Sequence, residues 1–309
     1  MTINNTASIS SAWFLNGISN LQQRETATQQ QLSSGYRVQS AVDSPSHVSE
    51  LVDLSSSLSA YLNWNTNLTR VQTEAQTADQ AIGSAVSLLQ QAQTLGAQGD
   101  TATSTAVNRQ ALAAQVQSIQ QQLVAIANTS TEGRYIFGGN QDQTAPYQYD
   151  SASATGVDQL TASPATRTIV NPTGETVYQS LTAQQIFGPV DSSENPTAGN
   201  TFVALQSLVT ALGGNNQAGI AAAMDSLSTA SDWVNQQQGY YGNAEQQITN
   251  EQNTTANQIT ALKTQIGGIR DTDVVQAASD LSQENVAQSA AYGAESQIAQ
   301  LKSLFSYLA

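Results

Sequence analysis

The sequence predicts a mainly α fold with a small β-rich insertion, in which the N- and C-terminal parts form a long coiled-coil-like helical bundle. Two observations lead to this prediction. Five of the six prolines fall between Pro146 and Pro196, and proline breaks helix interiors. On both sides of that stretch, apolar residues recur at alternating spacings of three and four, which is the pattern of a coiled-coil seam.

The two ends of the chain are each predicted to form an amphipathic helix of low charge. The N-terminal stripe consists of Phe14, Ile18, Leu21 and Leu32, with Trp13 and Leu15 adjacent. The C-terminal stripe consists of Ala291, Ala294, Ile298, Leu301, Phe305 and Leu308. A lone helix of this kind is marginal in water, because its stability comes from burying the stripe. The two ends could therefore pair with each other or with other copies of the protein.

A helical hairpin is predicted between residues 51 and 130. Its first stripe runs from Tyr61 to Ala92 without a polar interruption, and its second runs from Leu112 to Ile126. The segment from Gly96 to Ser104 is rich in Gly, Ala and Thr, which predicts a turn that folds the second helix back on the first.

The longest stripe runs from Ile220 to Ile266. Its polar positions cluster around Gly239–Gly242, where we expect a bend or a thin spot in the packing. The pair Gly267–Gly268 is expected to end this helix. Asp271 or Thr272 is then expected to cap the last helix.

The stretch between the helical halves carries signals for β-strands. Residues 134–137 form a β-branched and aromatic run that two glycines end. Residues 166–170 and 175–178 flank Asn171-Pro172-Thr173-Gly174, which suits a type I turn, so these residues are predicted to form a hairpin.

The composition excludes several classes of function. The chain has 23 Asp and Glu against 9 Lys and Arg, a net charge of −14, so its surface repels phosphates and nucleic acid is not expected as a partner. No stretch approaches the ~18 apolar residues of a membrane span, so no membrane insertion is expected. The chain has no Cys and one His, which removes most cysteine- and histidine-based catalytic and metal sites.

Two groups of residues could be mistaken for chemical sites. His47 lies near Asp43, but proximity in sequence is not the geometry of a catalytic triad, and we interpret His47 as a solvated loop residue. Four acidic residues between Asp271 and Glu284 lack the ligand pattern of a calcium loop, and helix capping explains the first two. We therefore expect no enzymatic activity, no cofactor and no metal.

Motifs at both ends resemble the flagellin superfamily. Residues 32–38, Leu-Ser-Ser-Gly-Tyr-Arg-Val, are similar to the turn that follows the first helix in that family, and residues 301–308 resemble its C-terminal tail. Residues 132–139 and 267–274 resemble the exit from the helical hairpin and the last interhelical turn of the hook–filament junction members. The residues that carry the likeness at this exit are Gly133, Arg134, Tyr135, Phe137 and Gly138.

The resemblance implies a structural protein of the bacterial flagellum that polymerises through its terminal helices as the junction between hook and filament. Gly35, Arg37 and the two terminal stripes would form the assembly surfaces. Residues 5–40 and 273–308 would be mostly disordered in the free subunit and would pack as coaxial helices on assembly. The implied partners are other copies of the chain, other hook-associated proteins, flagellin, and an export chaperone that binds the C-terminal helix. The implied location is extracellular, reached without a cleaved signal peptide.

Together these features divide the chain into five segments. They are an N-terminal assembly helix and turn at 1–44, a helical hairpin of the rod at 45–132, a β-rich central insertion at 133–200, a long rod helix region at 201–268, and a C-terminal assembly helix at 269–309.

Two alternatives stay open. A filament flagellin, major or minor, would share the fold and take a different position in the stack. A signalling coiled coil of the chemoreceptor kind would share Ala- and Gln-rich helical hairpins, but it would not explain the proline-rich middle.

Overall fold

A computed structural model describes residues 3–39, 45–161, 166–192 and 195–300, with the backbone alone at residues 3–12, 45 and 298–300. These residues form seven α-helices, a short 3-10 turn and three two-stranded antiparallel sheets. The predicted fold class, mainly α with a small β-rich insertion, is confirmed.

The helices account for most of the described chain. They are α1 (Ile3–Ser34), α2 (Pro45–Asp100), α3 (Ala106–Ala127), α4 (Ala183–Phe187), α5 (Thr201–Gly213), α6 (Gln217–Arg270) and α7 (Val274–Gln300). The strands are β1 (Ser130–Thr131), β2 (Arg134–Tyr135), β3 (Tyr147–Tyr149), β4 (Val157–Gln159), β5 (Thr168–Val170) and β6 (Thr176–Gln179). They pair in sequence order, β1 with β2, β3 with β4 and β5 with β6.

The chain divides into two compact units. The described residues of Met1–Ser59 and Gln258–Ala309 form the first unit, and Ala60–Asn257 form the second. This division brings together residues from opposite ends of the sequence. The five-segment division follows the order of the sequence instead, and it stays a prediction.

The core of the second unit is built on the seam of α2. Leu68, Ile82 and Leu89 are completely buried, as the uninterrupted apolar stripe predicts. On α3, Val116 and Leu123 are also completely buried, and α3 packs against α5. A stripe that repeats every three and four residues keeps one face of each helix turned toward its neighbours, and this explains the common core.

The turn between α2 and α3 lies in the later part of the predicted Gly96–Ser104 segment. Helix α2 continues through Gly96 and Gly99 to Asp100, and the predicted turn forms at residues 101–104, in the second half of the Gly96–Ser104 segment. Side chains of α5 and α6 lie so close over these two glycines that a Cβ atom there would collide with them. The glycines therefore permit close helix packing. Thr105 ends the actual turn by accepting a hydrogen bond from the backbone N of Asn108.

The expected thin spot in the long C-terminal stripe is absent from α6. The helix runs without interruption through Gly239–Gly242, and it ends at Arg270, two residues beyond Gly268. Tyr241 is completely buried, and its ring centroid lies 6.4 Å from those of Phe137 and Tyr178. An aromatic side chain thus fills the position where the apolar pattern weakens.

Two predictions about the strands of the insertion can be compared with the structure, the strand at residues 134–137 and the hairpin after it. Strand β2 covers Arg134–Tyr135 alone, because Ile136 and Phe137 leave the sheet and enter the core. The predicted hairpin forms between β5 and β6. Its turn is stabilised by the Asn171 side chain, whose Oδ1 accepts hydrogen bonds from the backbone N atoms of Thr173 and Glu175.

Candidate assembly interface

Helices α1 and α7 pack against each other, so the two ends of the chain pair within one copy. Ile18 and Thr28 of α1 are buried, as is Ala277 of α7. Farther along the pair, Gln22 Nε2 donates a hydrogen bond to the Tyr292 hydroxyl at 3.2 Å. Among the side chains that the structure describes, few of this pair are buried, and helix stability in water comes from packing of the apolar face.

Backbone hydrogen bonds join the end of α1 to the turn between α6 and α7. The backbone N atoms of Arg37 and Val38 donate to the Arg270 carbonyl at 2.7 and 3.2 Å, and Thr272 N donates to the Gly35 carbonyl at 2.9 Å. Gly35 has a φ of +76°, and its N–H bonds to the Gln31 carbonyl at 2.8 Å, which ends α1. The turn that the resemblance singled out therefore aligns α1 with the start of α7.

Arginine side chains reinforce this junction. Arg37 Nη2 donates to the Ile269 carbonyl at 2.9 Å, and the Arg270 guanidinium lies 4.2 Å from the centroid of the Tyr36 ring. A guanidinium above an aromatic face is attracted by the ring quadrupole.

Asp273 caps α7. Its Oδ1 accepts hydrogen bonds from the backbone N atoms of Val275 and Gln276, at 2.9 and 3.1 Å. The prediction that Asp271 or Thr272 caps this helix is therefore wrong. Asp271 Oδ1 instead accepts from Arg270 Nε at 3.0 Å. Within the described residues, no group of three or more acidic or His side chains is placed to hold a metal ion.

The α1–α7 pair presents large apolar side chains to solvent. Trp13 is 78% exposed and Val275 is 81% exposed. Other exposed apolar residues of these two helices are Leu15, Val274, Val286 and Tyr292. A shallow groove of about 490 Å³ also runs between Leu32 and the α7 residues Ala278–Ser289. A partner that packed against this pair would remove these apolar side chains from water.

The residues predicted for assembly have different positions in this pair. Ile18 is buried, whereas Phe14, Leu21, Leu32 and Ala291 are half-buried. Ala294 is exposed. Ile298 belongs to α7, where the structure describes its backbone alone, and Leu301, Phe305 and Leu308 lie outside the described residues.

The exposed apolar residues of α7 were not predicted from the sequence. Val274, Val275, Val286 and Tyr292 lie off the predicted stripe. The available signal was the number of apolar residues on α7, which exceeds what one stripe can bury. A single stripe at helical spacing uses about three positions in seven.

The motif that resembles the family's hairpin exit lies in the second unit. Glu132 and Gly133 have φ values of 53° and 77°, which form the two-residue turn between β1 and β2. Phe137 is buried edge-to-face against Phe187, with ring centroids 5.9 Å apart. A Cβ atom at Gly138 would lie 2.8 Å from the Cα of Asp142, so the close backbone approach requires glycine there. Arg134 is exposed and Tyr135 is half-buried.

Sequence comparison connects both ends of the chain to flagellins. The family model for the bacterial flagellin N-terminal helical region matches residues 3–142, and that for the C-terminal helical region matches residues 224–308. Flagellar hook-associated protein 3 of Escherichia coli K12 is 28% identical over 204 residues, and that of Salmonella typhimurium LT2 is 28% identical over 203 residues. Each match covers 64% of this chain and 63% of the relative, less than two thirds of the relative's length.

Solved structures share the fold. A putative flagellar hook-associated protein from Vibrio parahaemolyticus superposes with a TM-score of 0.64 at 17% identity, over 74% of this chain and 100% of the other. Flagellar hook associated protein-3 from Legionella pneumophila has a TM-score of 0.60 at 11% identity, over 72% of this chain and 98% of the other. Bacillus cereus FlgL has a TM-score of 0.55 at 16% identity, over 69% of this chain and 98% of the other.

None of the described helices is long and apolar enough to cross a membrane. Because the two flagellin models together match well over half of the chain, and do so at its two helical ends, the chain belongs to the bacterial flagellin family.

Proposed function

We propose that this protein is a structural component of the bacterial flagellum that polymerises, through its terminal helices, as the junction between hook and filament. The observation that carries this proposal is the α1–α7 pair, whose described side chains are mostly not buried and include the exposed Trp13 and Val275. The two curated relatives, both named flagellar hook-associated protein 3, favour the junction over other positions in the flagellum.

The mechanism follows from the exposed surface of this pair. Burying apolar surface contributes about 25 cal/mol per Å², so each large side chain that becomes covered adds on the order of 1.5–3 kcal/mol to assembly. Packing α1 and α7 of one copy against those of the next covers these side chains. Contacts between different surfaces of identical copies generate a helical stack when the rotation from one copy to the next does not close a ring.

The proposed partners follow from this position. They are other copies of the chain, other hook-associated proteins at the hook and filament ends, and flagellin. An export chaperone would bind the C-terminal helix before assembly and cover Val275, Val286 and Tyr292, which are exposed. The protein would act outside the cell after export without a cleaved signal peptide.

A filament flagellin is the second candidate, because the matching family models describe helical regions of flagellin itself. The two candidates differ in the surface that the chain recognises. A junction protein adds to hook ends and then accepts flagellin, whereas a filament flagellin adds along a growing filament.

Isolated hooks and filament seeds test the proposal. We expect the purified full chain to bind hook ends in a limited layer and to permit flagellin to elongate from them. A variant carrying Trp13→Ser and Val275→Ser should bind hook ends at least about tenfold more weakly, since two exposed apolar contacts are lost. Val107→Ser is the matched control, because Val107 is 74% exposed on α3 in the other unit. Incorporation along filaments would support the flagellin alternative, and equal binding by all three chains would contradict the role of α1 and α7.

A further inference from the structure

A groove of about 510 Å³ lies in the second unit, between α2 and the β1–β2 hairpin. One wall is formed by α2 residues 65–74, and the other includes Thr131, Glu132 and Ile136. Three arginines line this groove: Arg70, Arg134 and Arg167. The whole chain has 9 basic residues against 23 acidic ones, so a third of its cations converge on one groove.

The three arginines are held in different ways. Arg167 pairs with Glu74, and its Nη1 lies 3.9 Å from Asp142 Oδ2. Arg134 lies at the same distance from Asp142 Oδ2, with its side chain 51% exposed. Arg70 Nη2 donates to Asn67 Oδ1 at 3.2 Å. Arg167 thus ties the insertion to α2, and the guanidinium groups of the exposed Arg70 and Arg134 are available to a further acceptor.

The carboxyl of Glu74 lies in the same groove as the three guanidinium groups. Burial raises the pKa of the Glu74 carboxyl, and Arg167, Arg70 and Arg134 all oppose that rise. Planar guanidinium groups bind carboxylates in a fork geometry, so such a cluster can accept a carboxylate as its ligand.

A complementary feature lies elsewhere on the same unit. Asp79 of α2 and Glu245 of α6 lie between two points where these helices meet, the Trp64–Glu251 hydrogen bond of 3.2 Å and the contact of Gly83 with the Gln238 side chain. Burial, and after it Asp79, raises the pKa of the Glu245 carboxyl. Both causes penalise the charged form of Glu245. A cation supplied from outside the chain would relieve this repulsion.

The positions on α2 suit a contact between copies. Asp79 follows Arg70 by nine residues, which is about two and a half helical turns, so the two side chains project from opposite sides of α2. A groove on one side and an acidic pair on the other can join successive copies in a contact between unlike surfaces. Copies that each carry a net charge of −14 repel one another, so a matched contact of this kind favours assembly.

We propose that the groove lined by Arg70 and Arg134 receives the Asp79–Glu245 pair of a second copy in the assembled protein. This inference rests on the proposed function, since it describes one contact of the polymer.

Reversing the charges on each side of the contact tests it. Sedimentation at low salt measures the self-association of the full chain. One chain carries Arg70→Glu and Arg134→Glu, and another carries Asp79→Lys and Glu245→Lys. Each alone should associate about tenfold or more weakly than the unaltered chain, and an equal mixture should recover association, because the reversed groove matches the reversed pair. Gln110→Glu with Gln121→Glu is the control for added negative charge, since both glutamines are exposed on α3. A mixture that fails to recover, or a control that weakens association equally, would overturn the contact.

Disulfide trapping gives a readout that does not depend on charge. The chain has no Cys, so a Thr69→Cys chain mixed with a Gln246→Cys chain can cross-link only between copies. We expect the mixed dimer to exceed either like dimer severalfold, whereas equal yields would contradict the contact. If the unaltered chain associates and the exchange has no effect, the contact alone fails. If the unaltered chain neither self-associates nor binds hook ends, the proposed function fails and the contact fails with it.

Discussion

The guanidinium of Arg270 lies 4.2 Å from the centroid of the Tyr36 ring and joins the last residue of α6 to the turn that follows α1. Beside it, the Arg270 carbonyl accepts the backbone hydrogen bonds of Arg37 and Val38. This junction aligns α1 with α7. Its first residue, Gly35, has a left-handed backbone conformation, so a substitution there can test the junction.

Gly35→Ala should weaken the junction. Gly35 has a φ of +76° with nothing near its would-be Cβ, so the cost of the substitution is backbone strain, on the order of 1 kcal/mol. Gly17→Ala is the matched control, since Gly17 also has open space and lies inside α1, where alanine favours the helix by about 1 kcal/mol. Thermal unfolding followed by circular dichroism should therefore show opposite shifts. Shifts of the same sign would contradict the left-handed turn at Gly35.

Arg109→Met should destabilise the second unit by about 2–4 kcal/mol. The buried Arg109 guanidinium donates to the Gly99 and Thr101 carbonyls, at 2.7 and 3.2 Å, and to Asn215 Oδ1 at 2.5 Å. Removing it leaves carbonyl groups at the end of α2 without partners. Urea unfolding measures the change, and Arg24→Met is a control, because Arg24 is exposed on α1. Equal midpoints for the two variants would rule out this role for Arg109.

Two buried tyrosines should respond differently to loss of the hydroxyl. The Tyr147 hydroxyl is buried and has no hydrogen-bond partner among the described residues, so Tyr147→Phe should leave the free energy of unfolding unchanged or raise it. The Tyr241 hydroxyl accepts from Leu181 N at 3.3 Å, so Tyr241→Phe should cost about 1 kcal/mol. Urea unfolding of the two variants side by side provides the measurement. A larger loss of unfolding free energy for Tyr147→Phe than for Tyr241→Phe would contradict this account.

Alkaline pH should unfold the second unit. Burial raises the pKa of Tyr147, Tyr178 and Tyr241 above the ordinary value of about 10. Because the folded chain holds these protons more tightly, stability is retained below about pH 10 and is lost as the pH rises above it.

Ultraviolet absorbance of the phenolate should follow this unfolding. Three tyrosines should ionise in step with the loss of helical circular dichroism. Ionisation of all ten tyrosines near pH 10 with the helices intact would contradict their burial.

The fold followed from the sequence wherever a local pattern determined it. The seam residues Leu68, Ile82 and Leu89 are completely buried because spacing alone assigns them to one face of α2. Two glycine segments were predicted less well. Gly96 stays helical because Met224 and Leu208 pack over it, and Gly239–Gly242 stay helical because Tyr241 fills the core, and both causes lie in distant parts of the chain.

The candidate site was less predictable. The turn at Gly35 and Arg37 could be recognised from its motif, and the structure joins it to the α6–α7 turn. The arginine groove could not be recognised from the sequence. Arg70, Arg134 and Arg167 lie far apart in sequence and meet only when the insertion folds onto α2.

Limited proteolysis of the free and the assembled chain tests the central claim that the terminal helices are completed by assembly. The account predicts that residues 3–34 and 274–300 of the free chain are cut quickly while residues 60–257 resist, and that the same termini resist cleavage after assembly on hook ends. Termini that resist protease equally in the free chain would show that the α1–α7 pair is already stable on its own, and would contradict the proposed mechanism.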